Sequence, residues 1–167
     1  MRGQVSTFDI SNEKNMKALK KPQPKKFSSQ KYNKLISKLR KNTPGRVIEK
    51  SCERIAIDIL RNYEGFKKVK KGPDFTGTPF DFFGFKDGEP YIIEMKCSLK
   101  TFNTPGETQK RRMGELLRKV RGLKVALLQI KLRKSEYRIF YHSDLQVLFK
   151  GKEAPIEPIV EWIKKRP

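Results

Sequence analysis

Apolar and polar positions change period several times along the chain, and each change marks an element. Ile48, Cys52, Ile55, Ala56 and Ile59 recur at helical spacing across residues 45–63, with Lys50, Arg54, Asp58 and Arg61 opposite. Thr43-Pro44-Gly45 offers an N-cap and a proline at the first helical position, and Gly65 supplies the C-terminal stop. Residues 66–71 can form a strand. Residues 80–85 are aromatic-rich, Asp87-Gly88 supplies a turn and residues 91–95 return, which predicts a β-hairpin. Thr104-Pro105-Gly106-Glu107 reads as a capping box that opens a helix reaching about residue 120. Residues 123–132 are apolar without alternation, as in a strand buried on both faces, and residues 137–142 return after a turn. Ser143 caps a short helix over 144–149. An amphipathic helix over 156–165 carries Ile156, Ile159, Val160, Trp162 and Ile163. Before residue 44 the helical pattern is weak, at 12–20 and at 30–41, where Tyr32, Leu35, Ile36 and Leu39 share a side.

This order predicts an α/β domain over residues 44–167. A mixed central sheet of four or five strands lies between the helices 45–63 and 105–120. Residues 1–43 form a basic N-terminal extension. It reads either as a weakly packed tail, flexible or with short helices, or as an arm on a nucleic-acid backbone.

Alternation along the hairpin puts Glu94 and Lys96 on one face and Tyr91, Ile93 and Met95 on the other. If Asp81 pairs near Glu94, two carboxylates and an ammonium converge. Close carboxylates repel unless a cation lies between them, and oxygen ligands on rigid strands suit a hard ion such as Mg²⁺. Glu49 and Glu53, one turn apart on the first helix, are candidates for a further acid; Glu49 lies nearer the buried side. Taken alone, both read as solvated flank residues, and Asp81, Glu94 and Lys96 read as a cross-strand ion pair. Asp74 is an alternative to Asp81, but it sits in a Gly/Pro-rich loop where aspartate usually serves a turn.

Charge adds a partner to this picture. The net charge is +21, and residues 1–43 carry 12 Lys/Arg against 2 Asp/Glu, so about half of it lies in the rest of the chain. A polyanion is expected, with nucleic acid ahead of an anionic membrane. Residues 107–134 hold ten Lys/Arg and two Glu, so Gln109, Lys110, Arg111, Arg112 and Arg118 are candidates for gripping DNA phosphates. Cys52 and Cys97 with the single histidine, His142, make no zinc pattern and are expected to be free thiols in a reducing cytosol. His142, alone at a strand end, is expected to be packed or solvated. No apolar run approaches a membrane span, and residues 1–30 lack an apolar leader segment, so a cytoplasmic, nucleoid-associated protein with no membrane partner is expected.

Asp81, then Glu94-Met95-Lys96 after twelve intervening residues, with an acid on the preceding helix, resembles the PD-(D/E)xK nuclease superfamily. Within it the chain is most similar to Holliday junction resolvases of the archaeal and RecU types. Gly45-Arg46-Val47-Ile48-Glu49 carries the shared glycine before the helix glutamate. Asp81-Phe82-Phe83-Gly84 and Gln109 match the RecU type, and Phe80 stands where the motif name has proline. The resemblance covers residues 44–145. It implies a restriction-endonuclease-like sheet flanked by helices and a Mg²⁺-dependent endonuclease acting in DNA recombination and repair, with Mn²⁺ as a substitute. Asp81 and Glu94 would hold the ion with Glu49, while Lys96 orients or deprotonates the attacking water. Paired cuts on branched DNA call for a homodimer, and Phe82, Phe85 and the Trp162 helix offer candidate dimer surface. A restriction-type, Mrr-like or repair nuclease of the same fold, and a nucleic-acid-binding protein without catalysis, remain as alternatives.

Overall fold

A computed structural model describes residues 22–73, 80–141 and 157–165. The predicted helices over 12–20 and 144–149 lie outside the described residues, as do Asp74 and His142. The chain is mixed α/β. Its elements are β1 (Lys25–Lys26), a 3₁₀ turn, α1 (Asn33–Ser37), α2 (Gly45–Ser51), α3 (Glu53–Asp58) with a π turn to Tyr63, β2 (Lys67–Lys71) and β3 (Phe82–Lys86). They continue with β4 (Glu89–Ser98), α4 (Glu107–Lys119), β5 (Lys124–Lys131), β6 (Glu136–Tyr141) and α5 (Glu157–Lys164). Six strands form one sheet in the order β1-β6-β5-β4-β3-β2, one or two more strands than the pattern predicts.

The hairpin is as read. Lys86 pairs with Glu89, and Asp87 and Gly88 both take positive φ (52° and 76°), the backbone of a tight hairpin turn. β4 then runs parallel to β5, with α4 in the connection, and every other pairing is antiparallel. β5 is buried from Val125 to Ile130, because helices cover both faces of the sheet. On one face Ile48, Cys52, Ile55 and Ile59 pack with Met95, Leu128 and Ile130. On the other, Met113 and Leu116 of α4 and Ile159 and Ile163 of α5 pack with Phe83, Ile92 and Val125.

Two helix starts differ from the capping signals, for one reason. α2 has Pro44 as N-cap in an extended conformation (φ −56°, ψ 140°), and the Thr43 hydroxyl accepts the Arg40 N–H instead (2.8 Å). α4 begins at Glu107 with an extended Gly106 (φ −72°, ψ 166°), so Thr104 closes no capping box and Pro105 precedes the helix. In both Thr-Pro-Gly segments the threonine lies before an extended residue, Pro44 in one and Gly106 in the other, from which the helix starts. Gly65 ends the long helical run at φ 75°, as expected.

Residues 22–43 pack on the sheet. β1 pairs with β6, covering that edge, and Phe27 and Leu39 are buried in the core. Asp58 on α3 accepts the Tyr32 hydroxyl (2.8 Å) and pairs with Lys31 (2.7 Å). A buried carboxylate ties this segment further: Glu64 accepts hydrogen bonds from Tyr137 and Tyr141 (both 2.6 Å) and from Lys25 (3.0 Å).

Two expectations are corrected. Cys52 on the helical run and Cys97 on β4 are not free thiols; they are joined as a disulfide, with their Cα atoms 6.8 Å apart. Spacing of 45 residues gives no hint of that contact, which exists only because Cys52 packs directly over β4. Phe82 offers no dimer surface, being 1% exposed, and Trp162 packs its ring against Phe80 and Phe83. Helices cover both faces of the hairpin over Phe82, while Phe85 and Trp162 stay partly exposed. Among the described residues no helix is long and apolar enough to cross a membrane.

Candidate active site

β4 outruns its neighbour. The β3–β4 ladder begins at Phe82 and Ile93, with one further bond from the Asp81 N–H to the Ile93 carbonyl (2.9 Å). Beyond it, among the described residues, no strand pairs with Met95 or Cys97 on that side. Backbone donors there need acceptors, and two carboxylates provide them. Asp81 Oδ2 accepts the Met95 N–H at 2.8 Å, and the Glu49 carboxylate accepts the Cys97 N–H. The Asp81 backbone is itself held: Gly72 donates its N–H to the Asp81 carbonyl (2.7 Å), and a Cβ at Gly72 would meet the Phe80 ring at 3.0 Å.

Glu94, 1% exposed, projects from the middle of the sheet into this corner. Its Oε1 accepts the Gln109 side-chain amide of α4 (2.9 Å) and lies 3.6 Å from Lys96 Nζ. Its Oε2 is buried and has no hydrogen-bond donor. The Asp81 carboxyl lies within hydrogen-bonding range of Glu94. Lys96 Nζ stands between Glu94 and Glu49, 3.5 Å from Glu49 Oε1. Glu49, Asp81, Glu94 and Lys96 therefore come together from three elements. Glu53 pairs with Lys71 of β2 at 3.4 Å, and its charge still acts on Asp81, though it makes no ion pair with Lys96.

Burial raises the proton affinity of all three carboxyls. Glu94 is pushed well above the ordinary range, by desolvation and then by the neighbouring Asp81 charge, against the pull of Lys96. Asp81 is raised by desolvation, against the Met95 N–H. Glu49 is raised by desolvation, against Lys96. Three acids thus face one ammonium, in a chain of net charge +21. Among the described residues no three acid, histidine or cysteine side chains stand close enough to enclose a metal ion as they are. The donor set is of the hard, oxygen kind. The donors are carboxylate oxygens, two of the acids are in contact, and one buried oxygen has no donor.

Exposure separates the candidate phosphate-gripping residues of α4. Gln109 orients Glu94 from its first turn. Lys110 and Arg112 are buried (2% and 6% exposed), Arg111 is half-buried, and Arg118 is exposed. A charge count does not separate helix faces, and α4 packs its Met113–Leu116 side on the sheet. Gln129, 0% exposed and paired in register with Lys96, adjoins the site and belongs to no motif in the chain. A single amide inside an otherwise apolar strand was its signal. No protein-family model matches this sequence, and no curated protein matches it.

Proposed function

We propose that the protein is a divalent-metal-dependent DNA endonuclease of PD-(D/E)xK type with a restriction-endonuclease-like core, acting on branched DNA as a Holliday junction resolvase. The observation that carries this reading is the convergence of Glu49, Asp81, Glu94 and Lys96 at the open edge of β4, with a buried Glu94 oxygen left without a donor. A purely structural ion pair would need one carboxylate for Lys96, whereas this corner gathers three. Asp81 and Glu94, with Glu49, would hold Mg²⁺ or Mn²⁺, which supplies positive charge at the scissile phosphate and acidifies the attacking water. Asp81 and Glu49 are fixed by the β4 amides they accept, and Glu94 by Gln109, so the donors are oriented before substrate arrives. Lys96 can orient the attacking water and offset negative charge that grows on the phosphate oxygens.

The preference for a resolvase rests on the RecU-type features, and Gln109 supports it by contacting the same carboxylate that the reading makes a ligand. A four-way junction presents two scissile strands about a pseudo-twofold axis, so the active species is a homodimer. The test is cleavage of four-way junction, linear duplex and single-stranded DNA with and without Mg²⁺, together with sedimentation. Wild type is expected to nick the junction in pairs only with metal, and Asp81→Asn, Glu94→Gln and Lys96→Ala to abolish cutting while leaving DNA affinity largely intact. A monomer that cuts linear duplex as well as the junction would remove the resolvase reading and leave a nuclease of the same fold. Metal-independent inertness on all substrates would leave a DNA-binding protein.

A further inference from the structure

The row of side chains that begins at Lys96 continues across the sheet. Lys96 pairs in register with Gln129 on β5, and Gln129 with Arg138 on β6, so all three stand on the face that carries Glu94. Gln129 acts as a rigid connector. Its Nε2 donates to the Asn103 carbonyl (2.7 Å), fixing the amide's direction, and its Oε1 accepts from Arg138 Nε (2.5 Å). The loop after β4 folds Phe102 over this row, with Arg138 Cζ 4.5 Å and Lys131 Nζ 4.2 Å from the ring centroid. Two cations and one ring thus form a half-buried platform beside the acid cluster.

Arg138 is the member whose charge is unanswered. Among the described residues its polar partner is the neutral Gln129, and no carboxylate pairs with it. Lys131 has only a distant share of Glu136 (3.9 Å), which Lys26 holds at 3.0 Å. With Nε committed to Gln129, the outer edge of the guanidinium keeps a fork of donors suited to a phosphate. Strands lie about 4.8 Å apart, so Arg138 stands about 10 Å from Lys96. Duplex DNA carries a phosphate about every 3.4 Å of rise on each strand, so that distance falls among the neighbours of a phosphate held at the acid cluster.

We propose that Arg138, braced by Gln129 and stacked with Lys131 on Phe102, is a backbone-phosphate site that sets the position of DNA relative to Lys96. The inference rests on the nuclease reading for its ligand and adds to it a second contact, on a strand remote from the basic helix.

The test is fluorescence-anisotropy binding of a labelled four-way junction and a labelled duplex, in EDTA, over a salt series, with thermal melts of each variant. Arg138→Met is expected to weaken binding of both DNAs about tenfold and to reduce the slope of log affinity against log salt by about 0.9, one phosphate's worth. Arg138→Lys, which keeps a cation over Phe102, is expected to keep the slope and lose affinity several-fold, because the fork is lost. Unchanged affinity in either variant, or a wild-type chain that binds neither DNA, overturns the proposal. Wild type that binds DNA but never cuts it, with Arg138→Met weakened as described, removes the nuclease reading and leaves this site standing. Wild type that cuts, with Arg138→Met binding normally, does the reverse.

Discussion

Removing the Cys52–Cys97 crosslink should cost more than any surface change in this chain. The bond closes a loop of 45 residues that spans the end of the first helical run, β2, β3 and nearly all of β4. Chain-entropy arithmetic for a loop of that size gives about 4 kcal/mol. For a chain of this length that corresponds to a fall in Tm of roughly 8–16 °C. Thermal melts with and without a dithiol reductant measure it directly. A double-mutant cycle separates the crosslink from packing: both sulfurs are buried, so each Cys→Ala change also loses contacts. If the bond is the main term, Cys52→Ala and Cys97→Ala should each remove most of the stability that the double variant removes. Their coupling energy should approach that 4 kcal/mol. Two small, additive effects and a reductant-insensitive melt would refute the reasoning, as would two alkylatable thiols in the unfolded, unreduced protein.

Other expectations follow from single contacts. Glu49→Gln should lower Mg²⁺-dependent cutting at least tenfold and Glu53→Gln should leave it near wild type, because only Glu49 reaches Lys96 and the β4 edge; the opposite ranking in a junction-cleavage assay would move the site one helical turn. Gln109→Leu should reduce cutting roughly 10–100-fold, the usual cost of losing a group that orients a metal ligand, and raise the Mg²⁺ concentration for half-maximal rate; an unchanged metal titration would show that Glu94 needs no such brace. Glu64→Gln should cost about 2–4 kcal/mol in urea unfolding near neutral pH. Burial alone would raise the Glu64 carboxyl, but Tyr137, Tyr141 and Lys25 together hold it below its ordinary value. Its stabilisation is therefore complete above the unfolded-state pKa of about 4.3 and fades as pH falls through the lower folded value. The gap between wild type and variant should narrow only in that acid range, and a gap independent of pH down to acid unfolding would contradict it.

The local parts of this fold are legible in the chain. Asp87-Gly88 specifies its turn, and the two-residue period puts Glu94 and Lys96 on one face before any partner is known. Gly65 stops its helix where a positive φ is required. What fails to show in the sequence is decided at a distance. Thr43 and Thr104 carry capping chemistry, yet the residues that precede the two helices in extended form are Pro44 and Gly106. Phe82 looks like surplus apolar surface until helices from two separate segments cover both faces. That Lys110 and Arg112 are buried while Arg118 is exposed depends on which face of α4 packs on the sheet, and a charge count does not give that face. Helical periodicity already places Glu49 nearer the buried side than Glu53, but its contact with Lys96 needs the direction of the helix relative to β4. Gln109 is the intermediate case: its resemblance to a family position marked it, but its contact with Glu94 emerges only in the folded chain.

The open side of β4 has a consequence for how the protein behaves in solution. A strand that extends past its neighbour offers a template for another chain, and such edges commonly seed aggregation. Here the outward amides of Met95 and Cys97 are already taken by Asp81 and Glu49, which also set negative charge against any incoming carbonyl. The acids proposed for catalysis therefore double as gatekeepers. A variant in which both are replaced by apolar residues would present two bare donors beside a strongly apolar strand. Its loss would be colloidal as well as chemical, with insolubility or strand exchange between copies arising from the same substitution that silences the site.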